Sequence, residues 1–556
     1  MSTSAQTSSS LTDDAENLVR LRNNIKLPSN PQIARAQGED LGSGLKHNGY
    51  LDASNSALSS GTSTPLPVDA PPSAQSISSA RKQLRAQQKR RLFPTIEYTA
   101  RVSHFDPDSD YRDFHGFFAL FWIGLAIMVV TTMARNLEDT GWPIRGRVWS
   151  LFTPDIRALF ISDGLMVAST AVSLPLHSIF RNSRGWLQWR KGGRWVQSIY
   201  QAAWLLLWVD LPFRLHWTWT AQVFFTLHTL TLLMKMHSWA FYNGHLSETQ
   251  RHLSSLDHPE TKPDSIAAVH YPSSGTDVDA VKEKEMDIKD TEIDNHTGAS
   301  DDDDDDDAEA IAQLREDLAM ELTSPLGRVT YPQNLTAGNY IDYILCPTLC
   351  YELEYPRTPG TRWSELLWKS LAVFGCIFLL TVTSEEFITP VLDESAIRLA
   401  RTRKLTERGL ILAETINMLL FPFMVSFLLT FLVIFEYVLG AFAEITCFAD
   451  RHFYADWWNS TDWLEFSREW NIPVHHFFRR HVYSASRPHV GRRTATIITF
   501  FISAVGHELV MGCISKKVRG YGFLAQMMQL PIVMIQRTRW VRGRKTFNIC
   551  ALYVLL

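Results

Sequence analysis

The chain has 556 residues, 46% hydrophobic and 20% charged, with 18 Trp and 31 Phe, yet its mean hydropathy is close to zero. That combination excludes a uniformly water-facing globular protein, because the average conceals polar tracts interleaved with apolar runs too long for a soluble core. The net charge of −4 says little about partners, being set by one acidic tract, and the six cysteines, Cys346, Cys350, Cys376, Cys447, Cys513 and Cys550, form neither a CxxC pair nor a disulfide framework.

Residues 1–100 are rich in Ser, Thr, Gln, Asn and Pro and read as a disordered cytosolic N-terminal region. They show no secretory signal peptide, which leaves targeting to the first membrane span. The cluster Arg81, Lys82, Arg85, Lys89, Arg90 and Arg91 fits a cytoplasmic juxtamembrane position, and serves equally well as a solvated linker. Residues 101–243 hold transmembrane helices 1–4: Phe114–Met133, Ala158–Leu176, Trp195–Val209 ending in a break at Asp210–Pro212, and Thr218–Met234. Each is near the ~20 residues that cross a bilayer.

Residues 244–335 read as a disordered acidic cytosolic loop carrying the aspartate run Asp301–Asp307, which lacks the alternating ligands and glycine turn of a calcium site. Residues 336–556 hold helices 5–9. Tyr340–Thr358 predicts an ordered return segment, followed by spans over Leu366–Ile388 and Ile411–Ala443. The second is longer than a ~30 Å core, so it must tilt, kink at Pro422 or project beyond the membrane. Thr494–Ile514 and the short Gly522–Ile535 follow, and Asn548–Leu556 begins a ninth run that stops short, reading as a truncation or a half-span. The expected fold is all-α: a polytopic membrane protein with about nine transmembrane helices and a disordered tail. Basic loops fall on the cytoplasmic side, but Arg398–Arg408 and Lys516–Arg519 run against that rule.

The chemistry concentrates in two places. Within the segment 445–493, Phe453-Tyr454-Ala-Asp456-Trp457-Trp458-Asn459-Ser460 combines aromatic rings with a carboxylate and a carboxamide. It is poor lipid-facing core, because its polar atoms need partners wherever its rings are buried, and it reads as the wall of a site. The second place is His507, which with Glu508 supplies the ionisable groups of Thr494–Ile514. An imidazole kept neutral by apolar neighbours can accept a proton, and the Asn459 carboxamide can donate to an oxyanion. No GxSxG elbow flanks the histidine, so direct acyl transfer is favoured over an acyl-enzyme. A plainer account is also open: an interhelical hydrogen bond for His507 and an interfacial aromatic anchor for Trp-Trp-Asn.

These residues carry a resemblance. Phe453 to Ser460, Trp470-Asn471-Ile-Pro-Val-His475 and Ser503-Ala-Val-Gly-His507-Glu508 resemble the membrane-bound O-acyltransferase family, in the branch of sterol and diacylglycerol O-acyltransferases. Phe448-Ala-Asp450-Arg451, His507-Glu508-Leu-Val-Met511, Lys517-Val-Arg519-Gly-Tyr521 and Met234-Lys-Met-His237-Ser are most similar to fungal sterol enzymes. Pro347-Thr-Leu-Cys-Tyr-Glu-Leu is similar to the diacylglycerol enzymes.

The resemblance implies nine spans in the endoplasmic reticulum membrane, a cytosol-facing tunnel for long-chain acyl-CoA, a lateral opening for a sterol or other lipid alcohol, and a homo-oligomer, dimeric or tetrameric. It implies no metal, no cofactor beyond acyl-CoA as co-substrate, and no nucleic acid. It assigns His507 and Asn459 to catalysis, and Phe453, Tyr454, Asp456, Trp457, Trp458, Ser503, Glu508 and Gln529 to substrate binding. The expected reaction is esterification of a sterol 3-hydroxyl. Diacylglycerol acylation and a non-catalytic sterol-binding or transport protein remain as alternatives.

Overall fold

The computed structural model describes residues 96–106, 109, 111, 115–144, 154–256, 314–538 and 541. Among them the regular structure is helical, and extended backbone pairs only in isolated bridges. The expected N-terminal tail through residue 95, the Asp301–Asp307 run and Asn548–Leu556 lie outside the described residues.

The first run forms α1 (His115–Thr140) and the second α2 (Ile156–Thr170) with α3 (Ser173–Asn182). They are followed by α4 (Arg194–Arg214) and α5 (Trp219–Leu256). After α6 (Ala337–Leu345), α7 (Trp363–Thr383) leads through a π-helical turn into α8 (Thr389–Arg401). Next, α9 (Leu405–Phe431) continues through a π-helical stretch, Leu432–Val438, into α10 (Leu439–Ile445). The short α11 (Trp463–Glu469) and α12 (Ile472–Phe477) precede the long α13 (Arg492–Ser515) and its partner α14 (Tyr521–Gln536).

Among the described residues, five stretches are long and apolar enough to cross a bilayer: Gly116–Thr140, Ile156–Asn182, Trp363–Arg401, Leu405–Ile445 and Arg492–Ser515. Their outward faces carry exposed Phe160, Leu371, Phe421 and Val505, as lipid contact requires. The chain is thus a helical, multi-pass membrane protein.

Three boundaries differ from the sequence reading. The break expected at Asp210–Pro212 is absent, since α4 runs through Pro212 to Arg214. The long span likewise passes through Pro422 in regular helix and departs from α geometry only at Leu432–Val438. Proline deletes one amide donor but not the rest of the ladder, and a packed spanning helix tolerates that. Both margins of the expected acidic loop are ordered: α5 extends to Leu256, and buried Leu318, Leu322, Tyr331 and Asn334 pack back into the core. Short apolar patterns inside polar sequence hid those packing residues.

The largest core lies on the expected cytoplasmic side, where Trp239, Tyr242, Tyr343, Tyr351, Phe431, Phe435, Tyr454 and Trp457 pack together. Two extended segments frame it. The 101 position pairs with 449–451 (Arg101 N to Ala449 O 3.0 Å, Arg451 N to Arg101 O 2.8 Å), and Ala449 N donates to Pro356 O at 3.0 Å on the other side. One of the two basic loops that ran against charge topology, Arg398–Arg408, carries acidic partners: Arg398 pairs with Glu414 at 2.7 Å and Lys404 with Glu407 at 3.0 Å.

Candidate active site

The motif 453–460 is clamped before it turns outward. Ile472 N donates to Phe453 O at 3.0 Å and Ala455 N to Glu469 O at 2.9 Å, which holds the strand-like start against α11 and α12. Phe453, Tyr454 and Trp457 are buried, Trp458 is half-buried and Asn459 is exposed. Alternation of buried and presented positions follows from the short 3₁₀ turn Trp457–Asn459. Trp457 sits edge-on to Trp470 (5.0 Å) and Phe431 (5.2 Å), while Trp458 stacks on Phe105 at 5.8 Å. The Asn459 carboxamide donates weakly to Tyr111 Oη and Asp456 Oδ2, both at 3.4 Å.

Behind this platform the Tyr454 hydroxyl donates to Glu436 at 3.0 Å. Burial, and then the adjacent Glu436 charge, push the phenol well above its usual range, so it remains a donor. His104 stacks on the Tyr454 ring at 5.5 Å, and burial lowers its imidazole below the ordinary value.

The second half of the site is built on α13 and α14. His507 is exposed on the surface of the chain, and its Nδ1 lies 2.8 Å from the Ser503 carbonyl oxygen one turn earlier. A carbonyl can only accept, so Nδ1 is the donor in this contact and Nε2 faces outward. Ser503 Oγ accepts from Gln526 Nε2 at 3.2 Å, and Gln526 Oε1 accepts from Gln529 Nε2 at 2.7 Å. A polar ladder thus runs from α13 to α14 beside the imidazole. Glu508 is turned away into the α13–α14 connection, where Arg519, Gly520 and Phe523 donate backbone N–H groups to it at 3.0, 2.6 and 3.1 Å. Its carboxylate therefore acts as a clamp on that turn.

Gly522 lets the two helices approach. A Cβ there would meet Met511 Cγ at 2.9 Å and the His507 carbonyl oxygen at 3.2 Å.

The structure therefore groups Ser503, His507 and Gln529 in one place, and Phe453, Tyr454, Asp456, Trp457, Trp458 and Asn459 in another. Among the described residues no side-chain hydrogen bond joins His507 to Asn459. Helix α14 links the groups: Gln526 bonds Ser503 near one end, while at the other Gln536 Oε1 accepts from Trp463 N at 3.2 Å, just after the motif. Those two glutamines stand roughly 15 Å apart along the helix at about 1.5 Å rise per residue. Sequence reading missed Gln526, although a second carboxamide in so short an apolar run was a usable signal. It also missed Glu436, whose burial in a membrane span is costly enough to mark it.

The fold thus presents an aromatic platform and, apart from it, a histidine on a spanning helix beside a polar ladder. Residues 203–553 match MBOAT, the membrane-bound O-acyltransferase family. The chain belongs to that family. It is 36% identical over 436 residues to a probable sterol O-acyltransferase 2 of Schizosaccharomyces pombe, covering 78% of this chain and 82% of the relative. It is 32% identical over 474 residues to sterol O-acyltransferase 2 of Candida albicans, covering 82% and 75%. Similarity to diacylglycerol O-acyltransferase 1 of Dictyostelium discoideum is shorter, 31% over 238 residues, covering 43% and 38%.

Proposed function

We propose that the chain transfers a long-chain fatty acyl group from acyl-CoA to the 3-hydroxyl of a sterol, forming a steryl ester. The observation that carries the reading is the contact of His507 Nδ1 with the Ser503 carbonyl, which turns Nε2 outward on a spanning helix. Similarity over most of the chain to proteins named sterol O-acyltransferases supports the acceptor, against a partial match to a diacylglycerol enzyme.

In this reading Nε2 takes the hydroxyl proton as the sterol oxygen attacks the thioester carbonyl carbon. The tetrahedral intermediate collapses with cleavage of the C–S bond, and the departing CoA sulfur takes the proton back from the imidazolium. Gln526 and Gln529 line the acyl path beside the base. Trp458 and Asn459 receive the CoA-proximal part of the thioester at the cytosolic rim, and an extended acyl-CoA bridges the two groups. Asn459 as oxyanion donor requires it to approach the carbonyl when substrate is bound. We place the protein in the endoplasmic reticulum membrane with nine spans, as a homo-oligomer.

The test is purified protein in lipid nanodiscs given labelled oleoyl-CoA with either a sterol or diacylglycerol. Steryl ester should form and should vanish in His507→Ala. Triacylglycerol as the main product would move the reading to the diacylglycerol enzymes, and consumption of neither acceptor would end it.

A further inference from the structure

Glu436 is a carboxylate inside an apolar span, 5% exposed, in the π-helical stretch Leu432–Val438. Such stretches re-aim side chains relative to an α-helix and recur at functional sites. Three segments converge on it. Lys369 Nζ of α7 donates to Oε1 at 3.1 Å, while Ser103 Oγ and the Tyr454 hydroxyl donate to Oε2 at 2.5 and 3.0 Å. A buried carboxylate persists only when paired and hydrogen-bonded, and here the ammonium supplies the countercharge.

The neighbourhood is shaped for that lysine. Gly440, one turn beyond Glu436, faces it so closely that a Cβ would lie 3.0 Å from Lys369 Cδ and 3.1 Å from Nζ. From Tyr454 the order passes outward through ring contacts. Its ring meets Phe431 at 4.8 Å, His104 at 5.5 Å and Trp458 at 6.3 Å, and Asn459 follows Trp458 within the same 3₁₀ turn.

We propose that Glu436, held by Lys369, is a positioning residue for acyl transfer: through Tyr454 it fixes the platform from which Trp458 and Asn459 meet the acyl-CoA, without touching substrate itself. The proposal rests on the acyl-CoA reading of the motif given above.

The test uses the full chain in nanodiscs and four variants: Glu436→Gln, Tyr454→Phe, their double, and Glu436→Gln combined with Lys369→Met. Readouts are kcat, separate KM values for oleoyl-CoA and sterol, binding of a non-hydrolysable oleoyl-CoA thioether, and melting temperature. A displaced platform should raise the oleoyl-CoA KM and thioether Kd about ten-fold and lower kcat by about 10- to 100-fold, leaving the sterol KM within about two-fold. The Glu436→Gln and Tyr454→Phe losses should not multiply in the double, because both cut one path. Removing the lysine charge should recover melting temperature but not the oleoyl-CoA KM, which separates positioning from mere stability.

Wild-type constants in Glu436→Gln, multiplicative losses in the double, or recovery of activity together with stability would each overturn the proposal. A wild-type chain that neither esterifies a sterol nor binds the thioether would overturn it together with the functional reading. Only in that last case does the reading itself fall.

Discussion

The Ser503 carbonyl oxygen lies 2.8 Å from His507 Nδ1, and this one contact decides which ring nitrogen can act as a base. An i−4 back-bond of this kind fixes both the tautomer and the ring's orientation on the helix face. His507→Ala should lower ester formation by about 10² to 10⁴-fold, the usual contribution of a positioned base. His507→Asn is the sharper probe, because its amide N–H can keep the bond to Ser503 while offering no basic nitrogen. It should melt like wild type and be as inactive as alanine. An asparagine variant keeping more than a small fraction of activity would place the base elsewhere.

Two glycines on the same pair of helices should answer differently to alanine. At Gly522 an added Cβ meets Met511 Cγ at 2.9 Å, His507 O at 3.2 Å and Glu508 Oε2 at 3.3 Å, whereas at Gly506 nothing lies within 4 Å. Gly522→Ala should therefore separate α14 from α13 at a cost of about 1 to 3 kcal/mol, typical of overpacking. Its activity should fall as the Ser503–Gln526 bond lengthens. Gly506→Ala should change the melting temperature little. Adding Met511→Ala to the Gly522 variant should recover part of the loss, since the nearest clash is with that flexible side chain. Equal effects at both glycines would show that the helices are not in close contact there.

Five of the expected spans, and the presence of two clusters of polar residues among apolar ones, were legible because each rests on local pattern, whereas the runs now in α4, α5 and α14 form helices that are not among those five. Apolar runs of bilayer length mark helices such as α1 and α13, and an imidazole in one of them stands out. What sequence could not supply was the relation between the centres. The motif and His507 are linked through Gln536 and Gln526 on α14, and no periodicity reveals which carboxamides face which partner. The same limit hid the role of Glu508. Its neighbour His507 made it look like part of the reacting surface, but its carboxylate is spent on three backbone amides of the following turn. A kink at Pro422 was one of three outcomes open to this long span, and the local distortion falls instead at Leu432–Val438, where Glu436 reaches Lys369 and Tyr454.

Acid should loosen the segment 452–476 before it affects the spans. Burial lowers His475 and His476 from the ordinary 6.5 to about 4, with smaller pushes in the same direction from His476 and Arg479 on His475 and from Arg479 and Arg101 on His476. His452 is lowered to about 4 as well, by burial first and then by Arg101. A folded state that holds these imidazoles neutral binds fewer protons than the unfolded chain. Their contribution is therefore fully present above about pH 6.5 and is lost as pH falls towards about 4. Melting temperature in nanodiscs should drop between pH 7 and pH 5, and a His475→Asn/His476→Asn variant should show a flatter profile over that window. An identical slope in the variant would assign the acid sensitivity to other groups.

The Arg480–Glu352 pair ties this segment to the rest of the core and gives the most severe expected phenotype away from the site. Arg480 is 3% and Glu352 7% exposed, and the guanidinium donates to Glu352 Oε1 and to the Tyr351 carbonyl, both at 2.9 Å, while lying over the Tyr242 ring at 4.7 Å. Glu352 Oε1 also accepts from Ile96 N at 2.9 Å, so the pair anchors the extended segment that supports the motif. Arg480→Leu strands a buried carboxylate and should cost about 3 to 5 kcal/mol. Arg480→Lys should recover little, because an ammonium lacks the planar guanidinium that lies over the Tyr242 ring while one of its nitrogens serves both acceptors. Arg480→Leu with Glu352→Leu should regain most of the melting temperature, since apolar replacement of both partners removes the stranded charge. If the double variant is no more stable than Arg480→Leu alone, the arginine acts through its contacts to Tyr351 and Tyr242 and not through Glu352.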